Sequence, residues 1–252
     1  MLQTFKTKLI HKERLSDSVY IFRFLCQEPD TLVFEAGQYM ILKIPQPDGM
    51  VKTRLYSILN TPDQRKSFDL LIKIIPGGLG SEYLKTLQLG DEVIFDGPAG
   101  IFTLKEEERH KGRHKVFVAT GTGIAPAHSM ITAHLGHHPE EYFVLLWGTP
   151  TKKEVYLVNE WKKLQKTYPN FKFAVFLSQE KEIKEDEKEN FMLGRVNKGI
   201  DALTTAFGLP TGGDLANFDI YVAGDRYIVD SLKQYLLSKG ADAGHLVLEK
   251  FV

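Results

Sequence analysis

The chain has 252 residues, 43% hydrophobic and 25% charged, ordinary values for a folded globular protein with room for one large or two medium domains. Lys and Arg number 32 and Asp and Glu number 32, so the formal net charge is zero, which argues against nucleic acid or an anionic membrane as a non-specific partner. The single cysteine, Cys26, rules out an internal disulfide and a four-cysteine iron–sulfur cluster, and no run of about 18 apolar residues is available to span a membrane.

The first residues carry no apolar core of the signal-peptide kind, so a reducing, cytoplasmic setting is expected, with Cys26 a buried small hydrophobe. Strands are predicted over 18–24, 39–44, 68–75 and 92–95, where β-branched, aromatic and alternating apolar residues concentrate. Turn clusters separate them at Pro45-Gln46-Pro47-Asp48-Gly49, Pro62-Asp63 and Gly97-Pro98-Ala99-Gly100. Short, regularly punctuated strands predict a small antiparallel barrel or sandwich. A charged stretch over 105–113 reads as a linker. Beyond it apolar runs at 116–119, 142–147, 171–177, 219–223 and 246–248 alternate with helical spacing. One such set is Val155, Val158, Trp161 and Leu164; another is Ile228, Val229, Leu232 and Leu236. Strands alternating with helices predict a parallel, doubly wound sheet. Residues 179–190, dense in Glu and Lys, read as an exposed, mobile loop. His134, His137 and His138 read as a polar helix end rather than a metal site, and no metal is expected.

Three motifs carry chemistry. Thr120-Gly121-Thr122-Gly123-Ile124-Ala125-Pro126 lies at the carboxyl end of the first strand of the second half, where glycines admit a ligand and a helix start offers free N–H groups to phosphate. It lacks the third glycine of the Rossmann fingerprint and the lysine of a P-loop, so a tight strand-to-helix turn is the plain alternative. Arg54-Leu55-Tyr56-Ser57 reads as a strand with Arg54 and Tyr56 on one face and Leu55 and Ser57 on the other. An arginine fork suits phosphate, and a tyrosine can lie on a flavin ring, although such residues line many surface strands. Pro76-Gly77-Gly78-Leu79-Gly80-Ser81-Glu82-Tyr83-Leu84 is a glycine-rich turn opening a short helix, with Ser81 the expected N-cap. It suits a pyrophosphate, or is an ordinary capped loop.

In this order, together with Ala36-Gly37-Gln38-Tyr39, Gly90-Asp91, Gly97-Pro98-Ala99-Gly100-Ile101-Phe102, Trp147-Gly148, Tyr221-Val222-Ala223-Gly224-Asp225 and Glu249-Lys250-Phe251, the motifs resemble the ferredoxin–NADP reductase superfamily. The resemblance covers nearly the whole chain. It implies two domains: an N-terminal antiparallel β-barrel that binds FAD, over 1–105, and a C-terminal α/β parallel-sheet domain that binds NAD(P), over 113–252.

Residue by residue, the resemblance gives Arg54 the flavin pyrophosphate, Tyr56 the isoalloxazine and Ser57 a hydrogen bond near its reactive nitrogen. Leu55 lies in the same strand, and backbone around Ile72, Lys73 and Ile74 would face the flavin. Gly78, Gly80 and Ser81 would hold its phosphates, which favours FAD over FMN. Thr120, Gly121, Thr122 and Gly123 would line the nicotinamide nucleotide, Ser178 its adenosine end, and Gly224 and Asp225 its nicotinamide end. Glu249 and Phe251 would approach the flavin. Tyr56, Ser57 and Glu249 are the implied catalytic residues. A hydride would pass from the nicotinamide C4 to the flavin, and electrons would leave for a separate acceptor: ferredoxin, flavodoxin, an oxygenase component or a small oxidant. Many relatives carry Cys-Gly where this chain has Ala223-Gly224, which could alter the rate. Relatives that use NADPH place Ser-Arg where this chain has Ser178-Gln179, followed by Glu180; Gln179 cannot neutralise a 2′-phosphate and Glu180 would repel one. NADH is therefore favoured over NADPH, although Lys181, Lys184 and Arg195 lie nearby in sequence. The alternative reading is a flavin- and nucleotide-binding subunit or sensor without turnover.

Overall fold

The computed structural model describes residues 2–105, 110–203 and 215–251. The charged residues Glu106-Glu107-Glu108-Arg109 of the expected linker lie outside the described residues. The chain divides into two compact units, Met1–Leu104 with His128–Ala133, and Lys105–Ala127 with His134–Val252.

The first unit is an antiparallel sheet of six strands: β1 (Gln3–Arg14), β2 (Val19–Glu28), β3 (Tyr39–Pro45), β4 (Val51–Ser57), β5 (Ser67–Lys73) and β6 (Glu92–Ala99). Their spatial order is β4-β3-β6-β1-β2-β5. Alternation in β2 buries Phe22, Phe24 and Cys26 on one face. Phe24 and Phe68 meet Phe95 edge-on at 4.9 and 5.0 Å between ring centroids, a favoured aromatic geometry. A bridge from Ile58, immediately after β4, to Leu70 in β5 joins the two outer strands, so the sheet curls into a half-barrel. β1 extends the strand set read from sequence, because its exposed polar residues weaken the apolar pattern, and β4 begins at Val51, ahead of the strand read over 54–57. Helix α1 (Leu79–Thr86) seats Leu84 in the barrel core. The Lys12 ammonium donates to the carbonyls of Lys85 and Leu87, at 2.7 and 2.9 Å, beyond the reach of the helix's own hydrogen bonds.

The second unit is a parallel sheet of β7 (His114–Thr120), β8 (Phe143–Thr149), β9 (Phe171–Leu177), β10 (Phe191–Leu193), β11 (Phe218–Asp225) and β12 (Leu246–Phe251), in the order β10-β9-β8-β7-β11-β12. Along the chain, helices α2 (Ile124–His134), most of which groups with the first unit, α3 (Val158–Thr167), α4 (Asn197–Ala202) and α5 (Arg226–Ser238) alternate with these strands. The apolar runs read from sequence are β7, β8, β9, β11 and β12. The first four are buried almost end to end, as a sheet covered on both faces requires. The three-residue β10 and the six-residue α4 are too short to leave a periodic signal. Most of 179–190 is exposed, with one 3-10 turn at Glu185–Glu187.

Candidate functional site

In the first unit the strand alternation holds. Arg54 and Tyr56 converge on α1: a Cβ added to Gly80 would lie 2.3 Å from the Tyr56 hydroxyl and 2.8 Å from Arg54 Cγ. Only glycine lets the helix sit this close. Leu55 is exposed, Ser57 half-buried, and both belong to the other face. Burial raises the Tyr56 hydroxyl to about 12, against the pull of the nearby Arg54 charge, so it stays a protonated donor. Arg54 also donates to the Thr53 carbonyl at 2.7 Å, which holds its exposed guanidinium beside the strand.

The turn before α1 departs from expectation in one respect. Gly78, not Ser81, is the N-cap, and no side chain caps this helix. Ser81 sits buried in the first turn, where its Oγ accepts from the Ile75 N–H at 3.0 Å and lies 3.2 Å from the carbonyls of Ile75 and Gly78. Its hydroxyl ties the loop together. Gly77, at φ +73, takes the left-handed conformation that the turn needs. The strand-end residues are also partly committed: Ile72 pairs with Tyr20 across β5 and β2, and the Ile74 N–H bonds the Ser18 carbonyl at 2.7 Å. Lys73, between them, is exposed.

In the second unit the carboxyl ends of β7 and β11 meet through glycines. A Cβ at Gly123 would lie 2.3 Å from the Ala223 carbonyl oxygen, and one at Gly224 would lie 2.1 Å from Thr120 Oγ1. Gly224 itself is at φ +149. Thr120 Oγ1 is buried and has no hydrogen-bond partner. The 3-10 turn Gly121–Gly123 that leads into α2 has no side-chain cap. An orphaned hydroxyl beside a turn whose glycines allow close backbone packing is compatible with a nucleotide-binding turn.

Asp225 plays a different part. Its Oδ1 accepts from the N–H groups of Tyr227 and Ile228 at 2.9 and 3.3 Å, so it caps α5. Ser178 is exposed, and its N–H bonds the Thr149 carbonyl at 3.1 Å. The Glu180 carboxylate accepts from the Lys152 N–H at 2.9 Å, which fixes an anion next after Gln179. Lys181, Lys184 and Arg195 are exposed. On β12, Glu249 pairs with Ala223 and Phe251 with Asp225. Burial raises the Glu249 carboxyl to about 7.

The amino ends of the same strands hold a cluster that sequence reading missed. Asp219, fully buried, accepts from His110 Nδ1 at 2.9 Å, Arg113 Nε at 2.9 Å, His245 Nδ1 at 2.7 Å and Lys115 Nζ at 2.9 Å. His110, Asp219 and His245 have the residue types of a metal site. Two cations already occupy the carboxylate, however, so the arrangement is an ionic core. Residues more than a hundred positions apart build it, and no local spacing announces it. His134 and His138, by contrast, stand with ring centroids 6.0 Å apart.

Residues 6–104 match the oxidoreductase FAD-binding domain family and residues 117–234 the oxidoreductase NAD-binding domain family. A ferredoxin–NADP reductase of Sorangium cellulosum is 33% identical over 176 residues, 70% of this chain and 70% of the relative. The chain belongs to the ferredoxin–NADP reductase superfamily. Its two domain families make FAD and a nicotinamide dinucleotide the cofactors, and its class is that of NAD(P)H-dependent flavin oxidoreductases. The reductase subunit of an aromatic O-demethylase from Amycolatopsis is 32% identical over 63% of this chain, and the match spans only 47% of that relative. Among solved structures, a ferredoxin–NADP reductase from Neisseria gonorrhoeae has the same fold at a TM-score of 0.83 and 18% identity, covering 98% of this chain and 99% of that one. No helix among the described residues is long and apolar enough to cross a membrane.

The residues present fit both groups. Gly80 lets α1 pack directly against Arg54 and Tyr56 with the Arg54 guanidinium left exposed, as an anionic diphosphate would need, and Thr120 keeps a buried hydroxyl without a partner among the described residues.

Proposed function

We propose that this chain is a reductase that takes hydride from NADH, in preference to NADPH, into FAD and passes electrons to a separate acceptor. The acceptor class is a ferredoxin, a flavodoxin, an oxygenase component or a small oxidant. The observation that carries the reading is the convergence of Arg54 and Tyr56 on Gly80 within the FAD-binding family match. The names of the relatives, a ferredoxin–NADP reductase and an O-demethylase reductase subunit, support the acceptor class. When bound, FAD supplies a two-electron acceptor that can release electrons singly.

The chain's own residues do the rest. Arg54 neutralises a diphosphate, with Gly78 and Gly80 admitting it to the backbone of α1; Ser81 contributes by holding that loop. Tyr56 gives a flat, protonated surface for a ring, Ser57 a hydroxyl, and Ile72–Ile74 strand-edge backbone. Thr120, Gly121, Thr122 and Gly123 receive the nucleotide and Gly224 keeps its approach open. Ser178 serves its adenosine end, and Asp225 acts by capping α5 beside it. Glu249 and Phe251 close the site at β12. The NADH preference rests on Glu180, whose carboxylate the Lys152 N–H holds in place to repel a 2′-phosphate. The functional domains are assigned to 1–105 and 113–252, and a cytoplasmic setting fits Cys26, buried with its thiol raised to about 11 and so unreactive.

Anaerobic mixing of the FAD-loaded full chain with NADH or NADPH, followed by each acceptor, tests this reading. Flavin bleaching faster with NADH, and reoxidation by an acceptor, is expected. A bound flavin that neither nucleotide bleaches would mean a module without turnover, for which Ala223 would be the first suspect.

A further inference from the structure

Trp147 is the last apolar residue of β8 before Gly148, and it is completely buried. Its indole N–H donates to the Gly121 carbonyl at 3.0 Å, 26 residues away in sequence. Gly121 is the first residue of the turn into α2 and stands at φ +52, the left-handed region. In a trans peptide the C=O and the following N–H point in opposite directions. The carbonyl of Gly121 is turned inward onto a buried indole. The N–H of Thr122, on the same peptide, is therefore turned outward from the interior. No side chain caps that turn, and Thr120 beside it carries a buried hydroxyl without a partner.

We propose that Trp147 is a positioning residue for the dinucleotide: by holding the Gly121 carbonyl it aims the Thr122 N–H at the diphosphate. This rests on the reading of Thr120–Gly123 as the nucleotide turn. Glycine at 121 leaves the peptide free to rotate, since a glycine at positive φ has nearly equal access to other conformations. Without an inward partner the carbonyl is free to swing out and present an oxygen, the wrong sign of partial charge, to an anion. The indole removes that freedom before the ligand arrives, and preorganisation of this kind appears as affinity rather than as rate. Tyr156 packs on the same indole at 4.8 Å between ring centroids, and its buried hydroxyl has no hydrogen-bond partner, so it supports the ring by contact alone.

The test uses the FAD-loaded full chain and two variants, Trp147→Phe and Tyr156→Phe. Binding of ADP-ribose, which has the diphosphate, and of adenosine, which has none, is measured beside KM and kcat for NADH. Trp147→Phe should weaken ADP-ribose and raise KM by about five- to tenfold, the worth of one hydrogen bond, with adenosine binding, kcat and flavin content unchanged. Tyr156→Phe should change none of them. Equal losses for ADP-ribose and adenosine, or no loss for either, would overturn the proposal. A wild-type chain that binds neither ADP-ribose nor NADH would instead remove the nucleotide reading itself. Should Trp147→Phe fail to fold, the indole N–H resonances of the wild-type chain, which has two tryptophans, serve instead, assigned through Trp161→Phe. ADP-ribose should shift the Trp147 signal and adenosine should leave it; the same shift with both ligands would count against the role.

Discussion

At the amino ends of the parallel strands Asp219 accepts from four side chains, two of them cations. At the carboxyl ends of those strands Thr120 Oγ1 has no partner, and Glu249 is desolvated with no ion pair among the described residues. Both ends bury polar groups, and burial has a cost either way. At one end the fold recovers that cost internally. At the other it is left outstanding, which is how a site is built to recover it from a ligand. The two ends differ in what they leave unpartnered and not in charge alone, since the amino end has more ionisable groups, all paired with one another.

The largest expected effect is at the satisfied end. Asp219→Asn takes the carboxylate from Arg113 and leaves Lys115 only Glu141, at 3.5 Å, and should lower stability to denaturant by about 3–5 kcal/mol. The pH dependence has a definite sign. Burial would raise the Asp219 carboxyl, but hydrogen bonds from Lys115 and His110 outweigh it and hold it below the ordinary 3.8. Its stabilisation is therefore present above that value and lost as pH falls through the lower folded value. Acid unfolding of the Asn variant should lack this component. An unchanged denaturation midpoint in Asp219→Asn would break the comparison outright.

Next comes Gly123→Ala. The new Cβ would meet the Ala223 carbonyl at 2.3 Å, and backbone cannot yield as a side chain does. A loss of about 1–3 kcal/mol in stability is expected, with nucleotide binding weakened more than tenfold, as read by calorimetry. Gly80→Ala in the first unit is milder, because the obstacles there are side-chain atoms, the Tyr56 hydroxyl and Arg54 Cγ, and not backbone. Flavin retention should fall by about tenfold, and Tyr56→Phe added to it should restore part of the loss by removing the hydroxyl. If the double variant held flavin no better than Gly80→Ala, the close approach would not be what matters.

Thr120→Val separates the two ends most clearly. An orphaned hydroxyl is replaced by a methyl, so stability should hold or rise by up to about 1 kcal/mol while nucleotide affinity drops about fivefold. Parallel falls in both would show that the hydroxyl serves the fold. The smallest effect belongs to Glu249→Gln. A carboxyl raised to about 7 stabilises the fold fully below its ordinary 4.5 and loses that contribution as pH rises through about 7. The Gln variant should match wild type at pH 5 and exceed it slightly at pH 8 in thermal unfolding.

Much of this site could be read along the chain. The alternation Arg54-Leu55-Tyr56-Ser57 placed Arg54 and Tyr56 together, because a strand has a period of two whatever surrounds it. The glycines at 121 and 123 marked a tight turn for a similarly local reason, Gly121 by its positive φ and Gly123 by its close approach to Ala223. Ser81 was misread as a cap: the turn chemistry was recognisable, but whether the helix starts one turn earlier depends on how Leu79 and Leu84 seat against the barrel. Asp225 was read for its ligand and not for its helix, although an aspartate just before a helical pattern is itself a cap signal.

The sequence alone determined the two kinds of sheet, the order of the motifs and which short segments can turn tightly, since these follow from periodicity and backbone freedom within a few residues. The tertiary structure alone decided that Tyr56 rests on Gly80, that Trp147 holds Gly121, and that His110 and His245 meet at Asp219. Those contacts join residues 24, 26, 109 and 26 positions apart, respectively. Whether a buried polar group finds a partner across such a distance is settled by packing, and no local rule encodes it.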